Sequence, residues 1–236
     1  RAENLYKSFG GNDYAVNNVS FSVKRGECFS LLGVNGAGKS SIFSIISGET
    51  KRFSGRVETA SDIQKHSISY CPQTNALDPL LTVAEIIEFY GKLRNVRDIR
   101  KLVSELLENF HLKPYRDILV KNLSGGNKRK LSVASASIGN LSLVLMDEPV
   151  ADMDPLTRHL VYKTIRELNE IENCSVILTS HSIAEVEDVA HSIGIMVDGN
   201  LVASGSPESL KKEFGNHYVV TLLSEKPLNY QFEAVS

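Results

Sequence analysis

The sequence predicts an α/β fold with a parallel-sheet core, an antiparallel β portion near the N-terminus and a helical subdomain inserted at about 77–140. Three observations carry this. "ECFSLLG" reads as a short, mostly apolar strand that runs into the glycine-rich "GVNGAGKS" at 33–40 and then into the helical "SSIFSIISGET". After 140 the α/β rhythm returns, with "LSLVLMDEP" and "CSVILTSHS" as buried strands on either side of the helix "PLTRHLVYKTIRELNEI". Between these two regions the apolar spacing is helical throughout.

Each element has a local reason. "NNVSFSV" alternates apolar and polar residues, as a half-buried antiparallel strand does, and meets a turn at Arg25–Gly26. The helix after the glycine loop stops at Gly48. In the insert, Val83, Ile86, Ile87 and Tyr90 recur at helical spacing, and Ile99, Leu102, Val103, Leu106 and Phe110 repeat the pattern. Such stripes form core, and no chemistry is assigned to them. Pro155 stands at a favoured first-turn position of its helix. "HSIGIMVDGNLVASG" reads as a hairpin turning at Asp198–Gly199–Asn200. "HYVVTLLSEKPLNYQFEAV" reads as the start of a C-terminal extension at about 217–236. The whole chain, 1–236, is taken as a single domain.

With 236 residues, the chain is long enough to bury a substantial core. A hydrophobic content of 42%, a charged content of 23% and a net charge of -2 fit an ordinary globular protein and give no electrostatic footprint for nucleic acid. Cys28, Cys71 and Cys174 are widely spaced and odd in number, so we expect reduced thiols in a cytosolic setting and neither a disulfide nor a metal site. No apolar run approaches the roughly 20 residues of a membrane span, and direct membrane insertion by this chain is not expected. It begins "RAENLYKSFG", without methionine, which leads us to expect a piece of something longer.

The chemistry lies in four places. "GVNGAGKS" fits G-x-x-x-x-G-K-[ST], a match that chance gives in roughly one chain in a hundred of this length. Its glycines let backbone N–H groups curl around phosphates, Lys39 adds a mobile positive charge, and the Ser40 hydroxyl can ligate Mg²⁺. In "LVLMDEP", Asp147 emerges from an apolar strand where it can hold Mg²⁺, and Glu148 beside it can polarise a water. Gln73 and His181 each follow a strand, where a side chain can report on a γ-phosphate. The other five histidines are read as ordinary polar residues.

The fourth place is "LSGGNKRK", where Ser124, Gly125 and Gly126 open a helix and make a second anion grip from free N–H groups. One nucleotide does not need two such grips. The basic run Lys128, Arg129 and Lys130 reads as a solvated helix face rather than a phosphate contact.

Taken in order, "GVNGAGKS", "CPQ", "LSGGNKRK", "LMDEP" and "TSHS" resemble the nucleotide-binding domain of an ATP-binding cassette (ABC) transporter, from about Glu3 to Tyr218. "SYCPQTNALDPLLTVAE" and "GSPESLKKEFGNHYVVTLL" are most similar to the A subfamily of eukaryotic lipid transporters. The resemblance implies ATP and Mg²⁺ as cofactors, and an ATPase that drives transport by head-to-tail stacking on a second nucleotide-binding domain, on the same polypeptide or in a homodimer. Transmembrane domains of the transporter are then further partners, at the cytoplasmic face of a membrane.

It implies site residues too. ATP would lie on Phe9, Gly33, Asn35, Gly36, Ala37, Gly38, Lys39, Ser40 and Ser41, with Tyr6 and Tyr14 as competitors of Phe9 for the adenine. Ser40, Gln73 and Asp147 would hold the metal, and Glu148, His181, Gln73 and Lys39 would be catalytic. Ser124, Gly125 and Gly126 would cap a nucleotide held by the partner, and Asp154 would end the D-loop. This chain departs from the family at Asp152, where a small residue is usual, and at Val150 and Ala151. An extra carboxylate at the dimer seam puts the hydrolytic rate in question. The alternatives are a soluble non-transport ABC ATPase and a regulatory ATP-binding cassette with little turnover. Only 82 residues separate Ser40 from Leu123, too few for the long coiled coil of a chromosome-maintenance ATPase.

Overall fold

The computed structural model describes residues 1–10, 13–51, 53–60, 67–151, 153–171 and 173–214. The expected extension at 217–236 and the D-loop residue Asp152 lie outside them.

Strands β1 (Ala2–Ser8) and β2 (Tyr14–Phe21) open the chain, β3 (Cys28–Leu32) leads into the glycine loop, and β4 (Ser54–Val57) follows the first helix. β1 lies between β2 and β4 in a three-stranded antiparallel sheet. The remaining strands are β5 (Ile68–Cys71), β6 (Leu143–Met146), β7 (Ser175–Ser180), β8 (Ser192–Val197) and β9 (Asn200–Gly205). With β3 they form a six-stranded sheet in the order β5-β6-β7-β3-β8-β9. Its strands run parallel from β5 to β8, and β9 returns antiparallel through Asp198 and Gly199, as the hairpin reading expected.

Successive residues of a strand face opposite sides of its sheet, and here the two sides feed two different cores. Phe29 and Leu31 of β3, Leu143 and Leu145 of β6, and Ile177 of β7 pack with Ile42 and Phe43 and with Leu5, Val16 and Val19 of the small sheet. Their neighbours Cys28, Leu32, Val144, Met146, Val176 and Leu178 pack on the other side, toward the insert. Strands buried on both faces need near-continuous apolar sequence, and all of β3, β6 and β7 is buried.

The helices are α1 (Lys39–Ile46), α2 (Val83–Leu93), α3 (Ile99–Asn109), α4 (Gly125–Ala136), α5 (Pro155–Glu170), α6 (Ile183–Val186) and α7 (Pro207–Phe214). The insert comprises α2, α3, two short 3-10 turns at Lys113–Tyr115 and Val120–Asn122, and α4. α2 starts on a reciprocal cap: Glu85 N–H donates to Thr82 Oγ1 at 3.2 Å and Thr82 N–H donates to Glu85 Oε2 at 2.8 Å. Val83, Ile86, Ile87, Val103 and Phe110 are buried as their stripes required. α5 is capped by Asp154 with Pro155 in its first turn.

Among the described residues no helix is long and apolar enough to cross a membrane. The elements β1, β4, α6 and α7 lie outside the sequence reading.

Candidate functional site

Four adjacent parallel strands each deliver one piece of chemistry at the same edge of the sheet. Gly33 follows β3, Asp147 follows β6, His181 follows β7, and Gln73 stands two residues beyond β5. The C-terminal edge of a parallel sheet is where α/β folds bind ligands, because the loops there converge and helix N-termini point inward.

The glycine loop is shaped by steric limits. Gly38 caps α1 with φ +100, and a Cβ there would meet the Ala15 carbonyl oxygen at 2.1 Å. A Cβ on Gly33 would meet the Met196 carbonyl oxygen at 2.6 Å. No other residue fits either position, so the loop can close over a phosphate with its N–H groups unobstructed. Lys39 is buried, and its ammonium donates to the carbonyls of Gly33 at 2.7 Å and Val34 at 3.2 Å.

Glu148 is the point where three loops meet. Its Oε1 lies 3.9 Å from Lys39 Nζ, and its Oε2 accepts a hydrogen bond from Gln73 Nε2 at 3.1 Å. Its backbone has φ +47, a left-handed conformation that costs energy for a non-glycine residue. Asp147 is 3% exposed, and its Oδ1 accepts from Thr179 Oγ1 at 2.6 Å. The same hydroxyl accepts the Glu148 N–H at 2.8 Å. The field of the Asp147 carboxylate reaches Tyr70, whose phenol is pushed up to about 12 by burial first and by Asp147 next.

Gln73, Glu148, His181 and Asn35 line one cleft of about 920 Å³, at whose wall Gly125 and Gly126 also stand. Ser124 caps α4, its Oγ accepting from Asn127 N–H at 3.3 Å, and nothing lies within 4 Å of where a Cβ on Gly125 or Gly126 would sit. The second grip therefore faces open space.

Other expected residues stand apart. Phe9 is outside the cleft lining and 75% exposed, with Lys7 Nζ 4.4 Å above its ring. Tyr6 and Tyr14 contact each other edge to face. Asp154 spends both carboxylate oxygens on Thr157, accepting from its N–H at 3.0 Å and its hydroxyl at 2.7 Å, and these bonds hold the Asp154 carboxyl below its usual range.

One reading is corrected. Arg129 does not belong to a solvated face: it is 5% exposed, and its guanidinium donates to backbone carbonyls on both sides of the cleft. α4 is buried from Leu131 through Ala136, so most of its circumference is covered. Arg129 and Thr179 are among the site residues that sequence reasoning missed, with Asn75, Arg158 and Glu185 of the cleft lining. The long run of small and apolar residues after Lys130, which marks a helix buried nearly all round, was the available signal for the first.

The family model for the ABC transporter matches residues 16–151. The chain belongs to the ABC transporter family. It is an ATP-binding cassette of the ABC ATPase type, 43% identical to the glucosylceramide transporter ABCA12 of Homo sapiens over 87% of its own length and 8% of that protein's. It is 40% identical to the retinal-specific phospholipid-transporting ATPase ABCA4 of Bos taurus over 96% of its own length and 10% of that protein's. The chain thus spans a small part of these relatives. The cassette fold is shared with an ATP-binding subunit of an ABC transporter, at TM-score 0.78 and 25% identity over 91% of this chain and 92% of that one. It is also shared with the dimeric post-hydrolysis cassette MJ0796 bound to ADP and Pi, at TM-score 0.76 and 24% identity over 87% and 97%.

Proposed function

We propose that this ABC cassette hydrolyses MgATP at a site completed by a second cassette, and that the cycle powers lipid transport through transmembrane domains at the cytoplasmic face of a membrane. The observation that carries the hydrolytic part is the convergence of Lys39 and Gln73 on the two oxygens of Glu148, each from a different strand end. The phospholipid and glucosylceramide activities printed for the relatives motivate the choice of lipid. The open face of Gly125 and Gly126, with a separate phosphate loop in the same chain, motivates the shared site.

The donors fit Mg²⁺. Ser40 and Asp147 offer hard oxygens and Gln73 adds an amide oxygen, the donor types that suit a cation taking much of its shell from phosphate and water. When bound, the ion supplies charge neutralisation on the phosphate oxygens. The chain's residues do the rest. Lys39 and the loop N–H groups stabilise charge on the γ-phosphate. Glu148 takes a proton from the attacking water as its oxygen bonds to the γ-phosphorus. The bond to the β–γ bridging oxygen breaks, leaving ADP and inorganic phosphate. Gln73 and His181 orient water and γ-phosphate from the ends of two different strands on the same edge of the sheet. Phe9, exposed at the end of β1, offers a stacking surface for adenine. Asp154 ends the D-loop while it caps α5.

Glu148→Gln tests the assignment of the base. It keeps the side chain's shape and its contact with Gln73, so MgATP affinity is expected within about threefold of wild type while turnover falls at least a hundredfold. Turnover at the wild-type rate removes Glu148 from this role.

A further inference from the structure

Arg129 lies five residues past Ser124 on α4, one helical turn beyond Gly125 and Gly126, with which it lines the same cleft. Its Nη1 donates to the carbonyls of Pro72 at 2.5 Å and Gln73 at 3.3 Å. Its Nη2 donates to the carbonyls of Asp147 at 2.5 Å and Glu148 at 3.0 Å, and Nε donates to Pro149 at 3.3 Å. A guanidinium has five N–H donors in a rigid fork and keeps its charge at every working pH. Here those donors go to the main chain of two segments, the one carrying Gln73 and the one carrying Asp147 and Glu148.

The consequence is mechanical. The Gln73 amide and the Glu148 carboxylate touch at 3.1 Å, and the backbone behind each of them is tied to the same planar group. That group is rooted in the helix whose first residues are Ser124, Gly125 and Gly126. A shift of α4 therefore displaces the proposed base and the proposed water-orienting amide together, and reaches neither the glycine loop nor Lys39 through any contact of Arg129. No substrate atom needs to meet Arg129 for this to matter, since an ångström of misplacement at a reacting group can cost about a hundredfold in rate.

We propose that Arg129 is a positioning residue for hydrolysis: it sets Gln73 against Glu148 and makes their spacing respond to what the signature end of α4 meets. The proposal rests on the reading of Glu148 as base and of Ser124–Gly126 as a grip for the partner's nucleotide. Lysine keeps the charge but offers its donors from one point, so it cannot span both segments. Apolar substitution would leave five carbonyls without these donors, and is the poorer test.

The experiment compares wild type, Arg129→Lys, Ser124→Ala and the double variant in the full chain, assembled with its partner cassette. It reads kcat, KM for ATP, MgATP affinity and thermal midpoint. Arg129→Lys is expected to lower kcat about tenfold or more, with affinity and KM within about twofold because Lys39 and the glycine loop are untouched. In the Ser124→Ala background the same substitution is expected to cost less than half as much on a logarithmic scale, because the response it transmits is already lost. A purely structural role moves affinity, midpoint and kcat together and shows no such coupling.

The proposal is overturned if kcat of Arg129→Lys stays within about twofold of wild type, if affinity falls as far as kcat, or if the two substitutions are additive. If Ser124→Ala leaves turnover intact, the signature reading fails with it. If Ser124→Ala lowers turnover and Arg129→Lys leaves kcat within about twofold of wild type, only the role of Arg129 fails. Should Arg129→Lys not fold, amide exchange of the wild type reads the same link. Segments 72–75 and 147–150 must then gain protection together with 124–130 on addition of MgATP, and independent responses overturn the proposal.

Discussion

Thr179 Oγ1 donates to Asp147 Oδ1 at 2.6 Å and accepts the N–H of Glu148 at 2.8 Å, so one buried hydroxyl holds the two acidic residues of the site in register. It also supports the left-handed backbone of Glu148. Thr179→Val keeps the shape and removes the hydroxyl. The buried Asp147 carboxylate and the half-buried Glu148 N–H then lose their shared partner at a cost of about 1–3 kcal/mol, which thermal denaturation should register as a lower midpoint. Turnover is expected to fall about tenfold as Glu148 loses its backbone support. Thr179→Ser, which restores the hydroxyl, should recover most of that loss, and equal rates for the valine and wild-type proteins would show that the bond does nothing for catalysis.

Lys39→Ala removes the only side-chain cation that the glycine loop holds among the described residues. MgATP binding, measured by titration calorimetry, is expected to weaken at least a hundredfold, about 2.7 kcal/mol. Affinity unchanged from wild type would place the nucleotide elsewhere.

Two thiols set an alkaline limit. Burial pushes Cys28 and Cys71 above the ordinary 9.0, Cys28 with added repulsion from Glu27 and Cys71 despite the opposing pull of Arg129. The folded chain therefore keeps protons that the unfolded chain releases. Their contribution is full below the unfolded value of 9.0 and is lost as the pH rises above it. Between pH 9 and 10 each thiol should remove up to about 1.4 kcal/mol of stability per pH unit. Midpoints against pH for wild type and for Cys28→Ala with Cys71→Ala check this. The double variant should have the shallower slope in that window whatever its midpoint at neutral pH, and equal slopes would refute the link.

Much of this site is legible in the sequence because it obeys short-range rules. An apolar strand that ends in glycines and a lysine, or in two carboxylates, declares both element and chemistry within about ten residues. Gln73 and His181 were within reach because each stands just beyond a strand. Arg129 was not, because its partners lie 56 and 57 residues upstream and 18 to 20 downstream, and its own neighbours Lys128 and Lys130 look like a solvated face. Thr179 sits in a strand that reads as uniformly buried, and only the pairing of β6 with β7 brings it to Asp147. β1 escaped notice because its ladder is irregular, with Asn4 at φ +49 and shifted register against both neighbours. β4 is short and largely exposed, so it lacks an apolar pattern.

Whether a working pocket is assembled from two cassettes is tested most directly by ATP turnover in a preparation kept monomeric, its mass followed by light scattering in the same MgATP buffer. The expected rate is at least about a hundredfold below that of the partnered protein, since the signature donors are missing from each site. It should not change further with Ser124→Ala. A verified monomer that turns over at the partnered rate, with or without Ser124, contradicts the account.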